Sequence, residues 1–138
     1  MKQLTIFSNN KYYYHDVQYV SALGLYLVTG SQNTASNSGI AVLVDKSGNI
    51  VATKTGLPGT NRESQTVVSD DGKTAVYAAP GVGAVVLDLT STSVGLRKTI
   101  SINWNWDYMG TDGIFTAANR VYFATGTQHG VKFVAVDL

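Results

Sequence analysis

Along the chain, apolar residues return at every second position. They come in runs of four to seven rich in Val, Ile, Thr and Tyr, cut by clusters of Gly, Asn, Asp and Ser. A period of two predicts strands, here at Leu4–Phe7, Val17–Ser21, Leu25–Gly30, Ile40–Asp45, Ile50–Thr55, Thr66–Ser69, Thr74–Ala79, Ala84–Leu89, Leu96–Ile100, Gly113–Ala117, Arg120–Thr125 and Val131–Val136. No stretch carries the 3.6-residue period of a three-turn helix. Glu occurs once, at Glu63, and no capping box precedes an amphipathic run. The expected class is all-β.

The strands fall into a repeat. Leu25-Tyr26-Leu27-Val28-Thr29-Gly30, Val76-Tyr77-Ala78-Ala79-Pro80-Gly81 and Val121-Tyr122-Phe123-Ala124-Thr125-Gly126 end in the same manner, with the tyrosines 51 and 45 residues apart. A strand ending in Asp45, Asp88 or Asp137 follows each, and a shorter apolar strand precedes each. After the first two units comes a fourth strand containing Lys-Thr, at Lys54-Thr55 and Lys98-Thr99. The unit is four strands over roughly 40–50 residues, the size of a propeller blade. The third unit stops at Asp137-Leu138 without its fourth strand, while Gln3-Leu4-Thr5-Ile6-Phe7 stands before the first unit. Counting that segment, one domain of three four-stranded blades is expected, at residues 12–56, 62–101 and 108–138 plus 2–7, with the N-terminal strand completing the last blade.

Thr66-Val67-Val68-Ser69-Asp70-Asp71-Gly72-Lys73-Thr74-Ala75-Val76-Tyr77 resembles the S-P-D-G-K-x-x-Y-V hairpin of YVTN-type and related β-propeller repeats, with Asp70 where those repeats usually have Pro. Gly83-Ala84-Val85-Val86-Leu87-Asp88-Leu89 is similar to their V-x-V-I-D strand. The likeness covers about 25 residues, and the other two units share only the Tyr and Asp positions. It implies a propeller and leaves activity open, since many functions use that fold. Independently of any family, Asp-Gly supplies the positive φ of a tight hairpin.

Three blades are too few for a propeller, which usually has about four to eight. An open arc would leave two flat blade faces with their Val, Ile and Tyr in water. Two copies joined head to tail and closed by a twofold axis would make a six-bladed ring. A homodimer is therefore expected, with a homotrimer as the alternative. The other architecture these strands allow is a monomeric sandwich with unequal hairpins.

Composition narrows the functions. Ten Lys and Arg against nine Asp and Glu leave a net charge of +1, and charged residues are 14% of the chain. Nucleic-acid binding by phosphate neutralisation calls for more positive charge. No apolar run approaches the roughly 20 residues of a membrane-spanning helix, and no signal-type h-region follows Met1-Lys2. Cys is absent, so disulfides and Cys-based zinc sites are excluded. Neither a nucleic acid nor a membrane is an expected partner. The localisation is undetermined; synthesis in a cytoplasm and release as a virion component fits the composition.

In a propeller the loops leaving the fourth strands, and those joining second to third strands, share one face. Here they carry Tyr12, Tyr13, Tyr14, His15, Asp16, Arg62, Glu63, Trp104, Trp106, Asp107, Tyr108 and His129. Aromatic rings beside Asn, Asp and Arg suit a sugar or a polar protein surface. The candidate binding residues are Tyr12, Tyr14, Arg62, Trp104, Trp106 and Asp107. The alternative is structural: Trp104 and Trp106 wedge between blades and the Tyr run caps the core. The longer polar loop Ser31–Gly39 is either an added contact loop or a solvated one.

Asp45-Lys46-Ser47-Gly48-Asn49 starts like a calcium loop but lacks a closing Glu and holds a Lys; a hairpin turn is the preferred reading. Asp45, Asp88 and Asp137 are expected to hydrogen-bond local backbone at their turns. No G-x-S-x-G, H-E-x-x-H, P-loop or G-x-G-x-x-G is present. His15, Asp16, Glu63 and His129 are the only groups that could converge as a base and ligands. The expected function is a non-catalytic, self-assembling structural or binding module with no cofactor. The alternatives are a lectin reading glycans through the Tyr/Trp loops and a metal-assisted hydrolase at the axis.

Overall fold

The computed structural model describes residues 12–31, 38–59, 65–79, 82–101, 111–116, 120–127 and 130–138. Eleven strands and no helix occur among them, so the all-β expectation holds. They are β1 (Tyr13–Val20), β2 (Leu25–Ser31), β3 (Gly39–Val44), β4 (Ile50–Leu57), β5 (Val67–Val68), β6 (Thr74–Ala79), β7 (Gly83–Leu89), β8 (Val94–Ile100), β9 (Thr111–Thr116), β10 (Arg120–Thr127) and β11 (Gly130–Asp137). Each pairs antiparallel with its sequence neighbour in one of three sheets, ordered β1-β2-β3-β4, β5-β6-β7-β8 and β9-β10-β11. The expected N-terminal strand at residues 4–7 lies outside the described residues.

The sheets stack in chain order because the central strands are apolar on both faces. Leu27 and Leu43 of the first sheet meet Tyr77, Val85 and Leu87 of the second. On the second sheet's other face, Val76, Ala78, Ala84 and Val86 meet Val121, Phe123 and Val136 of the third. The strands β6 and β7 are buried at every position but Asp88. The first strands of successive sheets, β1, β5 and β9, are neighbours in that order.

Turns set the registers. Gly24 and Gly72 take φ of +67° in the hairpins that close β1-β2 and β5-β6, the conformation expected of Asp71-Gly72. Gly72 also nests against Val20 and Ala22, where a Cβ would come within 3.0 Å of both side chains. In the first sheet, Tyr13, Ser31, Gly39 and Leu57 pair in one row. The connections entering β1, joining β2 to β3 and leaving β4 thus share one end.

Anchoring the sheets on these first hairpins corrects the phasing of the repeat. Val20 pairs with Leu25, Ser69 with Thr74 and Thr116 with Arg120. In this frame Tyr26, Ala75 and Val121 are equivalent, as are Val28, Tyr77 and Phe123. The tyrosines are out of phase with one another. The aspartates are in phase: Asp88 and Asp137 pair with Thr74 and Arg120, and Asp45 follows Val44, the partner of Tyr26. Alternation in a strand tolerates a shift of two residues, which keeps a tyrosine on its face, and a shift of one, which turns it over.

Candidate functional site

The segment entering the first sheet was expected to be a loop, yet Tyr13–Asp16 belong to β1. The register slips between Tyr14 and Asp16, which marks His15 as the extra residue of a β-bulge. A bulge re-aims side chains, and here it turns consecutive residues toward the second sheet. His15 Nε2 lies 2.8 Å from Ser31 Oγ. Asp16 Oδ2 accepts the Thr66 N–H of the second sheet and the Gln18 side-chain amide, both at 2.8 Å, and its Oδ1 accepts the Val17 N–H.

Around them lies a polar seam between the two sheets. The Thr29 and Thr66 hydroxyls are 2.8 Å apart. The Ser38 hydroxyl donates to the Gly59 carbonyl, and the Tyr77 hydroxyl donates to the Pro58 carbonyl at 2.6 Å. Thr29, Ser31, Ser38 and Thr66 are all buried. This is a satisfied network. Both carboxylate oxygens of Asp16 are occupied by donors, and the fully buried Ser31 hydroxyl is hydrogen-bonded to His15. The seam fastens one sheet to the next.

The other exceptional surface is the face of the first sheet turned away from the second. The registers make it a grid of three rows: Tyr14–Gly30–Ile40–Thr55, Val17–Val28–Val42–Thr53 and Tyr19–Tyr26–Val44–Ile50. Val28, Ile40, Val42 and Val44 are buried with Tyr12 packed against them. The flanks are exposed. Of the seven exposed large apolar residues among the described residues, five stand on this grid: Tyr14, Val17, Tyr19, Tyr26 and Ile50. The rings of Tyr19 and Tyr26 are 5.1 Å apart, and Lys46 Nζ sits 5.8 Å from the Tyr19 centroid. Partial burial, followed by the charge interaction with neighbouring Tyr12, pushes the Tyr14 hydroxyl pKa up. Gly30 is obligatory here: a Cβ would run into the Tyr13 carbonyl oxygen.

Of the candidate binding residues, Tyr12 and Tyr14 are therefore brought together on this outer face. Arg62, Trp104, Trp106 and Asp107 lie outside the described residues, as do Glu63 and His129. Val17, Tyr19, Tyr26 and Ile50 were not among the candidate residues; the sequence predicts exposed Val, Ile and Tyr on an uncovered blade face without saying which residues stand there. Thr29, Ser31 and Thr66 were not among them either; polar residues at inward strand positions are the signal that points to such a seam.

The strand-end aspartates divide. Asp45 accepts the backbone N–H groups of Ser47 and Asn49 and the Asn49 amide, each at 2.8 Å, as a turn-forming residue should. These bonds, led by Asn49, hold its carboxyl below the usual range. Asp88 and Asp137 differ from expectation. Asp88 takes Arg97 Nε at 2.6 Å and Asp137 takes Arg120 Nε, because an arginine stands on the neighbouring strand in both sheets and reaches the carboxylate before any turn amide does.

At the hairpin end opposite the seam a groove of about 620 Å³ opens, lined by Leu23, Leu89, Asp71, Lys73, Asp88 and Arg97 among others. Among the described residues no group of three or more His, Asp or Glu could hold a metal ion. No protein family, curated protein or solved structure matches the chain.

Proposed function

We propose that the chain is half of a six-bladed β-propeller: a non-catalytic module that assembles with a second copy into a ring and presents its loop end twice. The three stacked sheets are the blades of this reading. The observation that carries it is the repeated use of one face. The second sheet packs on the first with its Ala75, Tyr77 and Ala79 face. The third packs on the second with its Val121 and Phe123 face. The equivalent face of the first sheet, bearing Tyr26, Val28 and Gly30, is covered by no other sheet among the described residues. The third sheet of a second copy supplies one, and a twofold axis closes both contacts.

The area is adequate. Tyr14, Val17, Tyr19, Tyr26 and Ile50 keep 38% to 59% of their surface exposed, on the order of 450 Å² at roughly 200 Å² per side chain. With an equal share from the opposing sheet, and two such contacts in the ring, roughly 1,800 Å² is buried, the range of stable interfaces. Doubling the loop end also lets weak contacts act together.

Light scattering at micromolar concentration tests the reading: a mass of twice 14.7 kDa is expected. Val17→Asp puts a charge on the grid at a position already 59% exposed. It should give a folded protein of single-chain mass. A single-chain mass for the unmodified protein, or a two-chain mass for Val17→Asp, refutes the ring.

A further inference from the structure

We propose that residues 3–7 of one copy form the fourth strand of the third sheet of the other copy, pairing along the outer edge of β11. The inference rests on the ring reading and adds an exchange of strands between the copies.

Three observations lead to it. First, β3 pairs with β4 and β7 with β8, whereas β11, the third strand of its sheet, is an edge strand among the described residues. An unpaired edge presents a row of N–H and C=O groups and is a ready template for another strand. Second, Gln3-Leu4-Thr5-Ile6-Phe7 has the alternating pattern of a strand. Third, its distance from the first sheet is the distance that fourth strands keep from the sheet they lead into. Val20, Ser69 and Thr116 are the equivalent last residues before the first hairpins. Leu57, ending β4, lies 12 residues before Ser69, and Ile100, ending β8, lies 16 residues before Thr116. Phe7 lies 13 residues before Val20.

In this chain a fourth strand belongs to the sheet on which the next sheet packs: β4 leads to β5 and β8 to β9. By the same rule residues 3–7 belong to the sheet preceding the first. Among the described residues there is none, and in the ring it is the third sheet of the second copy.

The chain's own third sheet is the competing site, and reach argues against it. Phe7 and Tyr13 are six Cα steps apart, at most about 21 Å when fully extended. An adjacent sheet is about 10 Å away, and its fourth-strand position is three strand spacings of about 4.8 Å outward, so roughly 17 Å must be spanned. The chain's own third sheet lies two spacings off, at least about 25 Å, on a line that runs through the packed second sheet.

Cysteine pairing tests the exchange, because the chain has no Cys of its own. Ala135 is an exposed residue of β11. One preparation carries Ala135→Cys. Five others carry a single Cys at position 3, 4, 5, 6 or 7, so that the scan covers every register. Each of the five is mixed with the first, oxidised and run on a non-reducing gel. The expected result is a two-chain disulfide species from at least one mixture and none from any preparation alone. Absence of a cross-chain species in all five mixtures overturns the exchange, as does an internal disulfide in single chains carrying both cysteines. The mass of the unmodified protein, measured in parallel, separates the two ideas. A two-chain mass without a cross-chain disulfide removes the exchange and leaves the ring; a single-chain mass removes both.

Discussion

Replacing Asp16 by Ala should loosen the joint between the first and second sheets. The side chain accepts three hydrogen bonds, and the consequential one comes from the Thr66 N–H, since Thr66 is only 1% exposed. Alanine leaves that donor buried without an acceptor, at a cost of about 1–3 kcal/mol. The Gln18 amide and Val17 N–H can turn to water, so they add little. For 138 residues, an unfolding entropy of about 2.1 cal/mol/K per residue converts 1 kcal/mol into roughly 3–4 °C. The expected loss is therefore about 7 °C near the middle of the range. Circular dichroism melts read it, at a fixed protein concentration because association shifts Tm. Asp16→Asn keeps one carbonyl oxygen for Thr66 and should lose less than half as much. If Asp16→Ala melts within about 1 °C of the parent, the seam does not join the sheets as described.

Three further outcomes follow from packing, backbone and charge. Phe123→Ala empties a fully buried site between the second and third sheets; urea denaturation should show a loss of about 3–5 kcal/mol. Gly30→Ala forces a methyl against the Tyr13 backbone, whereas a Cβ at Gly24 meets nothing within 4 Å and only has to tolerate φ of +67°. Melting should fall further for Gly30→Ala than for Gly24→Ala, whose strain costs about 1–2 kcal/mol. Asp45 has its folded pKa below the ordinary carboxylate value, chiefly through Asn49. Its stabilisation is complete above about pH 4 and is lost as pH falls through the lowered folded value. The Tm difference between the parent and Asp45→Asn should thus be constant near neutrality and shrink toward pH 2; a difference that persists in acid contradicts the assignment.

Much of the backbone could be read from residues alone. The β6 range matches its expected bounds, and the Asp71-Gly72 hairpin has the positive φ its chemistry requires. The strand expected at Val17–Ser21 leaves out Tyr13–Asp16, which break the alternation yet belong to β1. They break it because His15 is a bulge, and a bulge shows only in pairing partners, not in one strand's sequence. The tyrosine phasing failed for the same kind of reason: a tyrosine occupies either face of a half-buried strand, whereas a hairpin fixes both register and side. The fates of Asp88 and Asp137 were hidden because Arg97 and Arg120 come from the neighbouring strand. Tyr12 and Tyr14 could be singled out as aromatic, but the face they share with Tyr19 and Tyr26 is created by strand pairing across β1 and β2.

In the proposed ring, the residues on that face distinguish a surface that would wait for a partner from one covered as the chain folds. In the shared frame, the second sheet has Val68 and Ala75 where the first has Tyr19 and Tyr26. Val68 and Ala75 are covered by the first sheet of the same chain, where small apolar side chains suffice. Tyr19 and Tyr26 are 48% and 38% exposed. A tyrosine pair tolerates water before assembly, with its hydroxyls solvated, and still offers large rigid rings to bury afterwards. Tyrosine is accordingly a residue that carries binding energy at protein contacts. Tyr26→Ala should leave the monomer's fold intact, since the ring is not core. It should weaken the proposed two-copy assembly by about 2 kcal/mol or more, roughly 30-fold in dissociation constant. Sedimentation over a concentration series measures that constant. An unchanged constant would mean that the Tyr19–Tyr26 pair lies outside the contact, and the face would then have to serve a different partner.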